Sequence, residues 1–167
     1  MSESREVDLV IKGGTVVSPS GTRKIVIAVD DGKIVAVTQD EFLPPARKTV
    51  DATGLHVIPG LVDTDAHPGC YSPLKDDLGS ESRAAVTAGV TTWGIHAPST
   101  RMGHPEFAEF VQKEDVISFH ESFPHFEAAV ESDSAVDVFA TYMLETDQQA
   151  EEIPEYAKEH GVTSYKL

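Results

Sequence analysis

The chain has 167 residues, enough for one hydrophobic core and for no more than two small domains. A hydrophobic content of 40% with 25% charged residues is that of an ordinary globular protein and excludes wholesale disorder. The formal net charge of −15 argues against nucleic acid or an anionic membrane surface as partner. The single cysteine, Cys70, excludes an internal disulfide and fits a reducing compartment. The first residues, M-S-E-S-R-E-V-D, hold no apolar leader core, and no apolar run approaches membrane length, so the expected location is the cytoplasm.

Residues 7–57 read as short strands. Val7 to Lys12 is the first, Gly13-Gly14 turns the chain, and Thr15 to Val17 follows up to the break at Ser18-Pro19-Ser20-Gly21. Lys24 to Val29 and Lys33 to Val37 are two β-branched runs about Asp30-Asp31-Gly32, which predicts a hairpin. Thr49 to Asp51 and Leu55 to Val57 complete a small β unit, to which we assign no chemistry.

Ile58 to His67, I-P-G-L-V-D-T-D-A-H, starts at a Pro-Gly turn and predicts a short buried strand closing on alternating polar side chains. Residues i and i+2 of a strand face the same way, so Asp65 and His67 can converge on one ion. Carboxylate oxygen and imidazole nitrogen are both ordinary ligands for zinc and similar divalent metals. The same spacing also suits a structural role, with Asp63 and Asp65 capping the next turn and His67 packed or solvated.

Pro68 to Pro73 is a loop, and Asp76 to Ala88 a helix with acids in its first turns and Gly89 as its stop. Val90 to Ile95 is a second buried strand, which makes this segment a βαβ unit of a parallel sheet. His96 closes that strand but is not taken as a site residue. Pro105 to Ser132 carries F-A-E-F-V and F-E-A-A-V at helical spacing, and its histidines, with His104, are read as surface or packing groups (His120, His125). Ala135 to Leu144 is a third strand. Glu145 to Glu159 is helical, with Pro154 near the first turn of the helix proper and Gly161 beyond its end. Val162 to Leu167 begins a fourth strand, in which Lys166 taken alone reads as a solvated charge.

Several blocks in order carry a resemblance. P-G-L-V-D-T-D-A-H resembles the first-strand signature of the amidohydrolase superfamily, usually P-G, two apolar residues and D-x-H-x-H; Asp65 stands where the first metal histidine is usual, and His67 is the second. D-L-V-I-K-G-G-T-V-V, D-G-K-I-V-A-V, S-E-S-R-A-A-V-T-A-G-V-T-T and H-G-V-T-S-Y-K-L resemble the hydantoinase, dihydropyrimidinase and allantoinase branch, so the likeness runs from about Asp8 to Leu167.

The resemblance implies an α/β fold: an N-terminal β-sandwich segment over 1–57, then over 58–167 the first half, about four βα units, of a (β/α)8 TIM-type barrel. It implies a metal-dependent hydrolase of cyclic amides or imides that holds two divalent ions, zinc by expectation. Asp65 and His67 would be ligands, and a carboxylated Lys166 would serve both as the bridge and as a catalytic group. Carboxylation needs a neutral amine, which burial beside cations favours.

A complete barrel takes about 250 residues, so the chain is expected to be a truncated piece or one half of a split enzyme, inactive alone. The complete form is expected to be a homo-oligomer, or to pair with a complementary chain. Two other readings stand beside this one: a non-catalytic scaffold like the dihydropyrimidinase-related proteins, and a one-metal amidohydrolase or deaminase tuned by Asp65.

Overall fold

A computed structural model describes residues 6–39, 42–69, 72–97 and 118–167. Cys70, His104 and the F-A-E-F-V run lie outside the described residues. The chain divides into two compact units, Met1–Pro59 and Gly60–Leu167.

The first unit holds two sheets. One runs in the order β5-β4-β1-β6, from β1 (Val7–Lys12), β4 (Val26–Asp30), β5 (Lys33–Thr38) and β6 (Ala46–Asp51); the other runs β3-β2-β7, from β2 (Thr15–Ser18), β3 (Gly21–Lys24) and β7 (His56–Val57). The expected strand Lys24 to Val29 forms as β4 from Val26 onward, and Gly21–Lys24 is a further strand that was not expected. Gly21–Lys24 folds back on β2 across the Ser18 to Gly21 turn, whereas Val26 onward pairs with β1, so the chain changes sheets at Ile25. The hairpin at Asp31-Gly32 forms as expected: both residues have positive φ, 50° and 68°, which suits a two-residue loop whose twist matches its strands. Val7, Val10, Val26 and Ala28 form its small core.

The second unit is a mixed α/β half-barrel on one curled parallel sheet, order β11-β10-β9-β8. Its strands are β8 (Leu61–Ala66), β9 (Val90–Ala97), β10 (Asp137–Met143) and β11 (Ser164–Lys166). Helix α1 (Leu74–Thr87) links β8 to β9, α2 (Phe119–Asp133) precedes β10, and α3 (Asp147–Glu151) with α4 (Ile153–Glu159) leads to β11. The helical reading of 145–159 divides at Glu152, with Pro154 in the first turn of α4, where its missing N–H costs no hydrogen bond.

Alternation along the strands sorts the side chains. Trp93, Ile95 and Ala97 of β9 and Ala140 and Tyr142 of β10 join Leu74, Leu78, Phe119, Phe126 and Tyr156 in one core on the helix side. The Phe119 ring stacks on Tyr142 at 3.7 Å, and the Tyr156 hydroxyl accepts the Phe119 backbone N–H at 3.2 Å. The opposite, concave face receives Gly94 and His96 from β9 and Phe139 and Thr141 from β10. A Cβ on Gly94 would collide with the Phe139 ring and sit 2.9 Å from the Thr64 carbonyl oxygen, so glycine is what lets strand and ring approach.

Contrary to the expectation of a buried strand, β8 is exposed: Leu61 and Val62 are 49% and 58% exposed, because among the described residues β8 lies at the sheet edge with β9 as its one hydrogen-bonded neighbour.

Candidate metal centre

Asp65, His67 and His96 converge at the C-terminal ends of β8 and β9, the end at which barrel enzymes place their chemistry. The pairing register explains how. Asp63 faces Trp93 and Ala66 faces Ile95, so β8 carries one residue more than β9 across this interval, a bulge at Thr64–Asp65. Past it, Ala66 packs toward the helix-side core, and Asp65 and His67 therefore point to the concave face. The Asp63 carboxylate accepts the Asp65 N–H at 3.1 Å, and Gly69 N–H donates to the Asp77 carboxylate at 2.7 Å, which ties the loop after His67 to α1.

Asp65 Oδ1 lies 2.8 Å from His96 Nε2 and 3.9 Å from His67 Nε2. The rings of His67 and His96 are 4.3 Å apart and tilted by 40°. One ligand atom from each residue falls within 4.8 Å of the others. The side chains of Asp65 and His67 are 67% and 41% exposed, whereas the His96 side chain is only 7% exposed.

The electrostatics agree with a neutral imidazole donating to an ionised carboxylate. The hydrogen bond from His96, helped by the charge of Lys166, holds the Asp65 carboxyl below its ordinary range. Burial pushes the His96 imidazole below its ordinary value, against the opposing pull of Asp65. A carboxylate and two imidazoles gathered at this spacing suit a divalent metal of the zinc class.

The structure thus brings two of the three expected residues together and adds one that was set aside. Lys166 ends β11, at the opposite edge of the sheet from β8; it is exposed, and it reaches Asp65 and His96 through its charge. His96 was visible in the sequence at a strand end, but nothing in the spacing tied it to a residue 31 positions earlier. His120, read as a packing residue, belongs to a second group with Glu159 and His160, in which its Nδ1 lies 2.8 Å from His160 Nε2.

No protein-family profile matches the chain. Allantoinase from Escherichia coli O1:K1 / APEC is 44% identical over 88 residues, which is 51% of this chain and 18% of that protein. D-hydantoinase from Ralstonia pickettii is 28% identical over 166 residues, 96% of this chain and 33% of that one. A solved structure of D-hydantoinase superposes with a TM-score of 0.76 at 27% identity, again over 96% of this chain and 33% of the other. The chain therefore spans about a third of the length of the hydantoinases it matches. By sequence and by fold it corresponds to the N-terminal portion of the hydantoinase, dihydropyrimidinase and allantoinase branch of the amidohydrolase superfamily.

Proposed function

We propose that the chain supplies the first metal-binding wall of a cyclic amide hydrolase, with residues 1–57 as part of a β-sandwich and 58–167 as the opening strands of a (β/α)8 barrel. The observation that carries this reading is the convergence of Asp65 and His67 on the concave face of a parallel sheet. The relatives matched over half or more of the chain are an allantoinase and a D-hydantoinase, and this supports a ring amide or imide as substrate class.

A divalent ion, zinc by preference, would supply Lewis-acid polarisation of the ring carbonyl and activation of water. Within the chain, Asp65 and His67 hold the ion. Lys166, once carboxylated, would face the same concave space from β11 and bridge to a second ion. The exposed side chains of Asp65 and His67 leave the substrate ring an open approach from the β8 side.

The test is ring opening of hydantoin, dihydrouracil and allantoin by the full-length protein with and without zinc. The expected result is hydrolysis of at least one ring that a chelator abolishes and zinc restores, and that His67→Ala removes. Bound zinc without turnover of any ring would contradict the hydrolase reading. The replacement of the usual first histidine by Asp65 favours one further reading, a non-catalytic scaffold, for which a folded full-length protein should take up no metal.

A further inference from the structure

We propose that His96 is itself a ligand in this centre, and that it provides from the neighbouring strand the imidazole that Asp65 displaces from the first-strand signature. The inference rests on the metal-centre reading above and goes beyond it in assigning the ligand set: Asp65, His67 and His96.

The geometry points that way. A tetrahedral site with ligands about 2.0–2.1 Å from the ion has edges of about 3.3 Å between ligand atoms. Asp65 Oδ1 lies 2.8 Å from His96 Nε2 and 3.9 Å from His67 Nε2, one pair just inside that edge and one just outside. The third edge, between the two imidazoles, is no longer than 4.8 Å, so side-chain movements on the order of an ångström bring the carboxylate and both imidazoles onto one ion.

His96 is also the best anchored of the three. It lies in a strand paired on both sides, by β8 and by β10, opposite Thr141, and is 6% exposed. Ligation through Nε2 requires that the proton now shared with Asp65 leave that nitrogen. If it moves to Nδ1 through solvent, the imidazole remains neutral and keeps its proton count, while the Nε2 lone pair becomes free to bind. The Asp65 carboxylate, released from the hydrogen bond, binds the same ion.

The competing role for His96 is that of a hydrogen-bond partner that only orients Asp65. Affinity by itself does not separate the two, because losing such a partner also weakens metal binding about 10–100-fold. Counting imidazoles does. The full-length chain carrying His120→Ala, which removes the other histidine-rich group, is loaded with one equivalent of zinc and measured by X-ray absorption. One bound imidazole fewer is expected when His96→Gln is added to this background; an unchanged imidazole count overturns the assignment of His96 while leaving the metal-centre reading intact. No zinc uptake overturns both.

An exchange of residues gives an independent check. In that background, His96→Asp is expected to lower zinc affinity by more than about 100-fold, beyond what an outer partner commonly costs. Adding Asp65→His returns an imidazole to β8 opposite a carboxylate on β9, and is expected to restore affinity to within about tenfold of the parent. Failure of the exchange to recover any affinity, with the double variant folded by circular dichroism, would contradict the proposal.

Discussion

Strands β8 and β9 are neighbours in one sheet and both end in metal-capable side chains, yet they solve different problems. β8 is an edge strand among the described residues, Leu61 to Asp65 are all exposed, and a bulge precedes its two metal-capable side chains. β9 is paired on both sides, is buried from Trp93 to Ala97, and packs Trp93, Ile95 and Ala97 into the helix-side core. The centre thus couples an accessible half to a buried half: two open metal-capable side chains on the edge strand, and one imidazole held in the interior.

The comparison can be broken most strongly at the core. Ile95 is fully buried, and Ile95→Ala should cost about 2–5 kcal/mol through lost burial and a residual cavity. Urea unfolding of the full-length chain measures this, and a loss under 1 kcal/mol would show that β9 is not the anchored strand. Gly94→Ala forces a methyl against the Phe139 ring and the bulged Thr64 carbonyl, and should cost about 1–3 kcal/mol by overpacking. Since that carbonyl belongs to the bulge beside Asp65, the same variant should also weaken zinc binding in a calorimetric titration.

Acid sharpens the contrast. The folded pKa of His96 lies below its ordinary 6.5, so below that pH the unfolded chain binds a proton that the folded chain resists. Stability contributed here is complete above 6.5 and is lost as pH falls through the lowered folded pKa. Asp65, lowered from its ordinary 3.8, adds a second loss in the same direction at lower pH. Urea midpoints at pH 7.5 and 5.5 should therefore differ more for the parent than for His96→Asn; equal differences would contradict a buried, neutral His96. The smallest effect belongs to the edge: Val62→Ala, at a side chain 58% exposed, should change stability by no more than about 0.5 kcal/mol in the same measurement.

Much of this fold was legible in the sequence. The Asp31-Gly32 hairpin, the β8-α1-β9 unit and the placement of Pro154 follow from turn chemistry, apolar runs and the missing proline N–H, all of which act within a few residues. Strand β3 did not show, because Gly21-Thr22-Arg23-Lys24 carries no apolar alternation and is held by its pairing with β2 rather than by buried side chains. The exposure of β8 was missed for the opposite reason. Its apolar residues read as interior, but burial depends on what lies on the other side of the strand, which the strand itself does not encode.

The site divides in the same way. Asp65 and His67 share a face by local periodicity, and this could be read directly. His96 depends on the register between β8 and β9 and on a one-residue bulge, both of which are tertiary facts.

The most direct test of the account is anomalous diffraction at the zinc absorption edge from crystals of the full-length chain grown with zinc. A peak is expected on the concave face about 2.0–2.2 Å from an Asp65 carboxylate oxygen and a His67 ring nitrogen. A chain whose zinc lies only elsewhere, for instance between His120 and His160, would contradict it.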